Sequence, residues 1–196
     1  MRLTLLIICL FTLTSCNNKK SVEPGTEMLQ LKNEVTNDTI VKPPVAASTF
    51  PAGSQHINTG STTPEELLAF AQSLIGTAYS YASVDPAVGF DCSGFLTYVF
   101  NHFHIAVPRS SIDYSNVERK IDLADAKPGD LVLFTGTDST NRLAGHIGII
   151  TSNNNGACYF IHSTSGKAKG VTITELSAYY FFRFIKVIRI FPQNDL

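Results

Sequence analysis

The chain has 196 residues, of which 44% are hydrophobic and 16% are charged, and its formal net charge is −1. This balance favours one packed globular domain over a disordered chain, which would be poorer in apolar residues and richer in charge. It also argues against nucleic acid as a partner, because a nucleic-acid-binding protein needs an excess of positive charge.

The first residues have the pattern of an export signal. Arg2 precedes an apolar run from Leu3 to Leu13, which is too short to span a bilayer but suits the core of a signal peptide. The sequence LTSC that ends at Cys16 resembles the cleavage box of bacterial lipoproteins. This resemblance implies that residues 1–15 are removed and that Cys16 carries lipid, with an ordinary secretory signal as the alternative. Because Asn17 stands where many inner-membrane lipoproteins have aspartate, we expect an outer-membrane anchor that faces the periplasm.

Residues 16–62 are expected to form a flexible tether. The segment is polar, contains KPP and scattered Gly and Ser, and shows no sustained hydrophobic period. A flexible chain of about 45 residues has a root-mean-square reach of roughly 35–40 Å. Such a tether would hold the remaining domain, residues 63–192, at some distance from a lipid surface.

The domain begins with a strongly marked helix in TTPEELLAFAQSLIG. Thr63 takes the N-cap position, Pro64 the first turn and Glu66 the capping-box position, and Gly76 lies beyond the end. The predicted buried face comprises Leu67, Leu68, Ala71, Leu74 and Ile75.

A second helix is predicted from Cys92 to Phe103, and a short third one over SSIDYSN. The apolar spacing of the second helix predicts a buried stripe, which comprises Phe95, Leu96, Val99, Phe100 and Phe103.

Strands are predicted after the turn KPGD, in DLVLF, HIGIIT, CYFIHST, GVTIT and FFRFIKVIRIF. All are rich in β-branched and aromatic residues and are separated by turn residues. The last is predicted to be one long strand that includes Phe182 and Ile190. Helices followed by an antiparallel sheet, with no alternation of strands and helices, indicate the α+β class.

Cys92 lies at the predicted start of the second helix, within GFDCSGF. A helix N-terminus favours the thiolate, which is the form in which cysteine attacks. Asp91 can cap this helix, although its charge would oppose the thiolate if it pointed at the sulfur. The residues alone leave four roles open for Cys92: a nucleophile, a zinc ligand together with His146 and His162, half of a disulfide with Cys158, or a small core residue.

His146 and His162 lie on two predicted strands that form a hairpin, where they are candidates for a base and its orienting partner. Both positions are even, so an odd-length loop puts both side chains on one face of the sheet. A loop over residues 153–155 would place them directly opposite, and one over 154–156 would make them diagonal neighbours. A two-residue turn at Asn155–Gly156, without a bulge, would separate them.

The region from about Leu67 to Ile173 resembles the NlpC/P60 family of bacterial cell-wall cysteine peptidases. The matching segments are FDCSGFLTYVF, VPRSS, KPGDLVLF, HIGIIT and YFIHSTSGKAKGV. The resemblance implies a papain-like α+β fold, with N-terminal helices packed on a C-terminal antiparallel sheet. It also implies an endopeptidase that hydrolyses peptidoglycan stem peptides, commonly beside a D-amino acid or diaminopimelate, without a cofactor or a metal.

By the same resemblance, Cys92 is the nucleophile, His146 the base and His162 its orienting partner. Tyr79 matches a family tyrosine near the nucleophile, and Asp91 and Ser93 flank that nucleophile. Arg109 has two readings, as a ligand for a substrate carboxylate or as the partner of an acidic neighbour.

The chain departs from the family pattern at three positions, which puts specificity rather than core chemistry in question. Ala82 and Ser83 replace a usual glycine pair, and Tyr114 stands where glutamine is common. Two other functions remain open, a non-catalytic lipoprotein that binds cell-wall peptides and a thiol acyltransferase of related fold. We expect the protein to be a monomer.

Overall fold

A computed structural model describes residues 50–117, 119–154 and 156–196. The predicted signal peptide, the lipidation site at Cys16 and the tether up to residue 49 lie outside the described residues. No helix within the described ranges is long and apolar enough to cross a membrane. Ile57 and Thr59 are buried and Phe50 packs on the core, so the packed region extends to the N-terminal side of residue 63.

The described chain contains three α-helices and eight strands, connected in part by short 3-10 helices. In chain order they are α1 (Pro64–Ser73), β1 (Val84–Asp85), β2 (Gly89–Phe90), α2 (Cys92–His102), a 3-10 helix (Ser111–Asn116), β3 (Arg119–Ile121), a 3-10 helix (Leu123–Asp125), β4 (Leu131–Thr135), β5 (Ala144–Asn154), β6 (Ala157–Thr164), β7 (Gly170–Glu175), α3 (Ala178–Arg183), β8 (Phe184–Arg189) and a 3-10 helix (Pro192–Asp195).

Helix α1 starts with the predicted capping box. The Thr63 hydroxyl accepts a hydrogen bond from the Glu66 N–H, and the Glu66 carboxylate accepts one from the Thr63 N–H. These two bonds satisfy N–H groups that have no partner within the helix. The prediction that Ile75 is buried is wrong, because α1 ends at Ser73 and Ile75 is 50% exposed.

Helix α2 starts at Cys92, as predicted, because Asp91 caps it. The Asp91 carboxylate accepts a hydrogen bond of 2.5 Å from the Gly94 N–H. The predicted stripe is confirmed: Phe103, just beyond the helix, is partly buried against the core, and the fully buried members are Phe95, Leu96, Val99 and Phe100.

The sheet is six-stranded and antiparallel, with the strand order β3-β8-β4-β5-β6-β7. One face packs on α1 and α2, and its core side chains include Leu131, Leu133, Ile147, Ile149 and Ile161. The opposite face packs on Tyr180 of α3, and its core side chains include Val132, Phe134, Ile150 and Phe160. The predicted α+β class is confirmed.

The prediction of one long final strand is wrong in its first half. Residues Ala178–Arg183 form helix α3, and the strand runs only from Phe184 to Arg189. The aromatic residues favour a strand by propensity, but tertiary contacts decide otherwise. Tyr180 is buried against the rings of Phe134 and Phe160, and this contact fixes the helical turn while Phe182 stays 76% exposed.

Ala82 has a left-handed backbone with φ of 58°, a conformation that glycine adopts more readily than alanine. The turn directs the Ser83 carbonyl to the Asp91 N–H, with a hydrogen bond of 3.2 Å. The same carbonyl lies so close to Gly94 that no Cβ would fit there. The left-handed turn at Ala82 therefore holds the loop against the first turn of α2.

We expect Ala82→Gly to raise the free energy of unfolding by up to about 1 kcal/mol. Left-handed backbone costs an L-residue about 1–2 kcal/mol, and the greater unfolded-state freedom of glycine offsets part of this gain. Urea denaturation of the full chain measures the difference. The control is Ala87→Gly in the turn between β1 and β2, where the backbone is not left-handed and glycine should destabilise. Equal losses in both variants would contradict the interpretation.

Candidate active site

Cys92 is the first residue of α2 and is largely shielded from solvent. Burial and, to a smaller extent, the charge of Asp91 raise the pKa of the Cys92 thiol. The backbone N–H groups of Ser93, Ile147 and Cys92 itself point to the sulfur and lower that pKa, but by less. The resting thiol is therefore protonated near neutral pH, and it needs a base before it can attack.

Arg109 neutralises the carboxylate of Asp91, the residue beside Cys92. Its Nη2 lies 2.8 Å from Asp91 Oδ2, and its Nη1 lies 3.1 Å from Asp91 Oδ1. Nη1 also donates to Ser93 Oγ at 2.9 Å. Of the two readings of Arg109, the structure therefore shows pairing with an acidic neighbour. This two-point pairing fixes the Asp91 carboxylate in the position from which it caps α2.

A β-bulge brings the two histidines to the same face of the sheet. Asn154 pairs with Ala157, so the hairpin loop has two residues. This even length alone would place the histidines on opposite faces. The pairing shifts by one residue between Ile150 and Ser152, and this extra residue restores the common face. His162 then lies opposite Gly148 and is the diagonal neighbour of His146.

The diagonal arrangement depends on the lack of a side chain at Gly148. A Cβ there would lie 2.7 Å from a carbon of the Phe160 ring and 3.2 Å from the Cβ of His162. With that space free, His146 Nε2 and His162 Nδ1 are 2.7 Å apart. The two rings are thus joined directly, as base and orienting partner would be.

Thr174 extends this hydrogen-bond chain by one step, because His162 Nε2 lies 2.9 Å from Thr174 Oγ1. The hydrogen bonds of this chain can run in two directions, according to which nitrogen of each ring carries the proton. When Thr174 accepts from His162 Nε2–H, His162 Nδ1 accepts from His146 Nε2–H. That direction alone leaves a free lone pair on His146 Nδ1, the atom that can take a thiol proton. Sequence reasoning missed Thr174, although strand alternation in β7 places it on the same face as Thr172, the residue opposite His162.

Both imidazoles are held in the neutral form. Burial lowers the pKa of His146 well below its usual value, with smaller contributions from His162 and Arg183. Burial and Arg183 lower the pKa of His162 to about 3. The rings pack against Phe134, Phe160 and Tyr180, which supplies the apolar surroundings. A neutral His146 acts as a base rather than as a standing cation beside a thiolate.

Cys92 and His146 line the same cavity, of about 850 Å³, together with Tyr79 and Thr174. The Tyr79 hydroxyl keeps its proton, because burial and the nearby Cys92 and Asp91 raise its pKa. Arg109 lines a different cavity. The structure therefore brings together Tyr79, Cys92 and His146, with His162 behind them.

Two alternatives for Cys92 do not fit this geometry. Cys92 and Cys158 are both free thiols, and Cys158 is buried in the core on the sheet face that contains Phe134. Within the described ranges no group of three His, Cys, Asp or Glu side chains is arranged to hold a metal. The facing nitrogens of His146 and His162 are bonded to each other, so they do not both point to a common ion.

Comparison with known proteins identifies the family. A model of the NlpC/P60 family matches residues 76–189, which is more than half of the 196 residues. The chain belongs to the NlpC/P60 family. The family that the sequence motifs indicated and the fold predicted from it are thereby confirmed.

Curated relatives match parts of the chain. The chain is 31% identical over 129 residues to the gamma-DL-glutamyl hydrolase of Bacillus subtilis, covering 66% of this chain and 30% of that protein. It is 34% identical over 111 residues to the probable endopeptidase NlpC of Escherichia coli, covering 56% of this chain and 66% of the relative. The chain thus spans less than two thirds of the length of either relative.

Solved structures have the same fold. An NlpC/P60 family protein of Bacillus cereus superposes with a TM-score of 0.60 at 24% identity, covering 68% of this chain and 42% of that chain. The peptidoglycan hydrolase RipB of Mycobacterium tuberculosis superposes with a TM-score of 0.50 at 28% identity, covering 75% and 71%.

We expect the buried histidines to make the protein sensitive to acid. The folded-state pKa values lie below the usual 6.5, at about 3 for His162. The unfolded chain therefore binds more protons as the pH falls below 6.5, and stability is lost in this window. Each histidine adds a slope of about 1.4 kcal/mol per pH unit. Urea denaturation across the window should show a slope smaller by about that amount in His162→Gln.

The control for this measurement is Ile150→Val, which lies in the same core without a titratable group. It should lower the free energy of unfolding by about 1 kcal/mol and leave the slope against pH unchanged. A wild-type slope that His162→Gln does not reduce would show that the imidazole is not held neutral in the folded state.

Proposed function

We propose that this protein is an exported cysteine endopeptidase that hydrolyses amide bonds in peptidoglycan stem peptides through Cys92, His146 and His162. The observation that carries the proposal is the single cavity lined by Cys92 and His146, with His162 hydrogen-bonded behind His146. The names of the relatives support it, since two are an endopeptidase and a peptidoglycan hydrolase. A binding protein would need neither a nucleophile nor a base.

The first half of the reaction forms an acyl-enzyme. His146 Nδ1 takes the thiol proton as Cys92 Sγ attacks the amide carbonyl, and a new carbon–sulfur bond forms. The tetrahedral intermediate then collapses, the carbon–nitrogen bond breaks, and His146 gives its proton to the leaving amine. His162 stabilises the transient imidazolium because its Nδ1 accepts from His146 Nε2–H.

The second half returns the enzyme to its starting form. His146 takes a proton from a water molecule, whose oxygen attacks the thioester carbonyl. The carbon–sulfur bond breaks, the carboxylic acid product leaves, and Cys92 recovers the proton. Water is the only co-reactant, so no cofactor enters the cycle.

Two donors are suited to stabilise the oxyanion of each tetrahedral intermediate. The backbone N–H of Cys92 lies at the N-terminus of α2, where the helix dipole favours negative charge. The Tyr79 hydroxyl lines the same cavity and stays protonated. The Cys92 N–H is fixed by the helix before the reaction begins, which is the condition for strong electrostatic stabilisation.

The proposal includes attachment to a membrane through acylated Cys16. The apolar run before the LTSC sequence, and the polar segment after it, are the features that support an anchor and a tether. Two or more acyl chains are needed for stable attachment. We place the protein, as a monomer, on the outer membrane facing the periplasm, where peptidoglycan is within reach.

Digestion of purified muropeptides by the full chain in mild detergent tests the activity. We expect cleavage products that gain the mass of one water, and the loss of all cleavage in Cys92→Ala. The control is Cys158→Ala, which removes the other described thiol and should keep cleavage. Intact muropeptides would favour the binding-protein reading, and products that gain an acyl mass would favour acyl transfer.

Fractionation of cells that express the full chain tests the anchor. We expect the wild-type protein in the outer-membrane fraction, and Cys16→Ser in the soluble fraction or as an uncleaved precursor. Cys9→Ser lies in the segment that is removed and should behave as wild type. A wild-type protein that is soluble, with no acyl mass on Cys16, would overturn this part of the proposal.

A further inference from the structure

The active-site cavity contains cations but no carboxylate. Among the residues that line it, the charged ones are Lys167 and Arg183, and no aspartate or glutamate is present in that lining. His146 adds no charge, because burial keeps it neutral. The cavity that Cys92 lines therefore carries net positive charge.

Arg183 is fixed in place by the protein backbone. Its Nε donates to the Gly136 carbonyl at 2.9 Å and its Nη2 to the Thr135 carbonyl at 2.8 Å. Its Nη1 donates to the Tyr179 hydroxyl at 3.0 Å, and the guanidinium lies near the Tyr179 and Tyr180 rings. These three bonds leave two of the five N–H donors of the guanidinium for a ligand. A cation held this way loses little conformational freedom on binding.

Lys167 reaches the cavity from the connection between β6 and β7. Its side chain is exposed, and no hydrogen bond or ion pair joins its ammonium group to another described residue. The same connection is attached to the nucleophile side of the cavity, since the Tyr79 N–H donates to the Lys169 carbonyl at 2.9 Å. Lys167 is thus a free cation on a segment that is held near Cys92.

Three acidic residues, Asp91, Asp138 and Glu175, adjoin lining residues in sequence, and none of them lines the cavity. Glu175 follows Thr174 in β7 and is exposed, and strand alternation directs its side chain to the opposite face of the sheet. Asp91 is bonded to Arg109 and to the Gly94 N–H. Asp138, which follows the lining residue Thr137, accepts from the Thr140 N–H and hydroxyl. Neither Lys167 nor Arg183 has a carboxylate partner within the described part of the chain.

We propose that Lys167 and Arg183 recognise a free carboxylate of the substrate peptide, next to the amide that Cys92 attacks. This inference rests on the proposed function, because it specifies the substrate of the same site. A carboxylate matches the planar donors of Arg183, and the flexible Lys167 can close on the same group. The two side chains therefore select peptides with a free carboxylate over peptides in which that group is a neutral amide.

Calorimetric binding to the full chain carrying Cys92→Ala, in mild detergent, tests the inference without any need for hydrolysis. The probes are two synthetic stem peptides that differ at one group, a D-glutamyl α-carboxylate or its primary amide, and a second pair that differs likewise at diaminopimelate. We expect the carboxylate form of at least one pair to bind about tenfold more tightly or better. Lys167→Gln and Arg183→Gln should each reduce this ratio at least about threefold.

The matched control is Lys169→Gln, an exposed lysine in the same connection that does not line the cavity, and it should keep the full ratio. Because Arg183 also donates to backbone carbonyls, circular dichroism checks that Arg183→Gln is folded. Lys167 is exposed, so Lys167→Gln tests the inference without disturbing the fold. Equal binding of both peptides in each pair, an undiminished ratio in either variant, or a reduced ratio in Lys169→Gln would overturn the inference.

The same peptides, given to the chain with Cys92 intact, separate this inference from the proposed function. If the protein binds the carboxylate peptides more tightly than the amides but cleaves none of them, the proposed hydrolase activity is wrong and the carboxylate site is supported. If it cleaves the peptides but binds both forms equally, the carboxylate site is wrong and the hydrolase activity is supported.

Discussion

The hydrogen bond between His146 Nε2 and His162 Nδ1 is the interaction on which the candidate site depends. It requires two side chains from adjacent strands to lie diagonally on one face of the sheet. The one-residue shift in pairing between Ile150 and Ser152 provides the common face, and Gly148 leaves room for the rings to approach. A change in either feature would leave both histidines in the chain but break the hydrogen bond that orients His146.

The two hydrogen-bonded imidazole rings lie inside an apolar layer, and burying titratable groups there costs free energy. A buried imidazole can be accommodated only while it is neutral, so the fold of this sheet face and the protonation state of the base are linked. The packing of Phe134, Phe160 and Tyr180 around the rings supplies both the burial that lowers the pKa values and much of the core on that side. Stability and basicity at the site therefore come from the same contacts.

Local sequence signals predicted the parts of the fold that local chemistry determines. The capping box at Thr63, the cap at Asp91 and the buried stripe of α2 depend on residues a few positions apart, and all three are confirmed. The bulge near Thr151, helix α3 and the bond to Thr174 depend on contacts between distant segments. The residues YYFFR do not by themselves distinguish a helix from a strand. The contact between the rings of Tyr180 and Phe134 favours the helix. Cys92 and the two histidines could thus be identified from sequence as candidates, whereas Arg183, which ends the helix that was predicted to be a strand, could not.

Arg183 links His146 to the proposed carboxylate site, because its charge acts on His146 and its side chain lines the cavity. In the free protein its charge helps to lower the pKa values of His146 and His162. A substrate carboxylate bound to Arg183, as proposed, would neutralise that charge and raise the pKa of His146 towards its usual value. His146 would then be a stronger base when an acidic peptide is present than when the cavity is empty. The residue that selects the substrate would in this way also adjust the base that activates the Cys92 thiol.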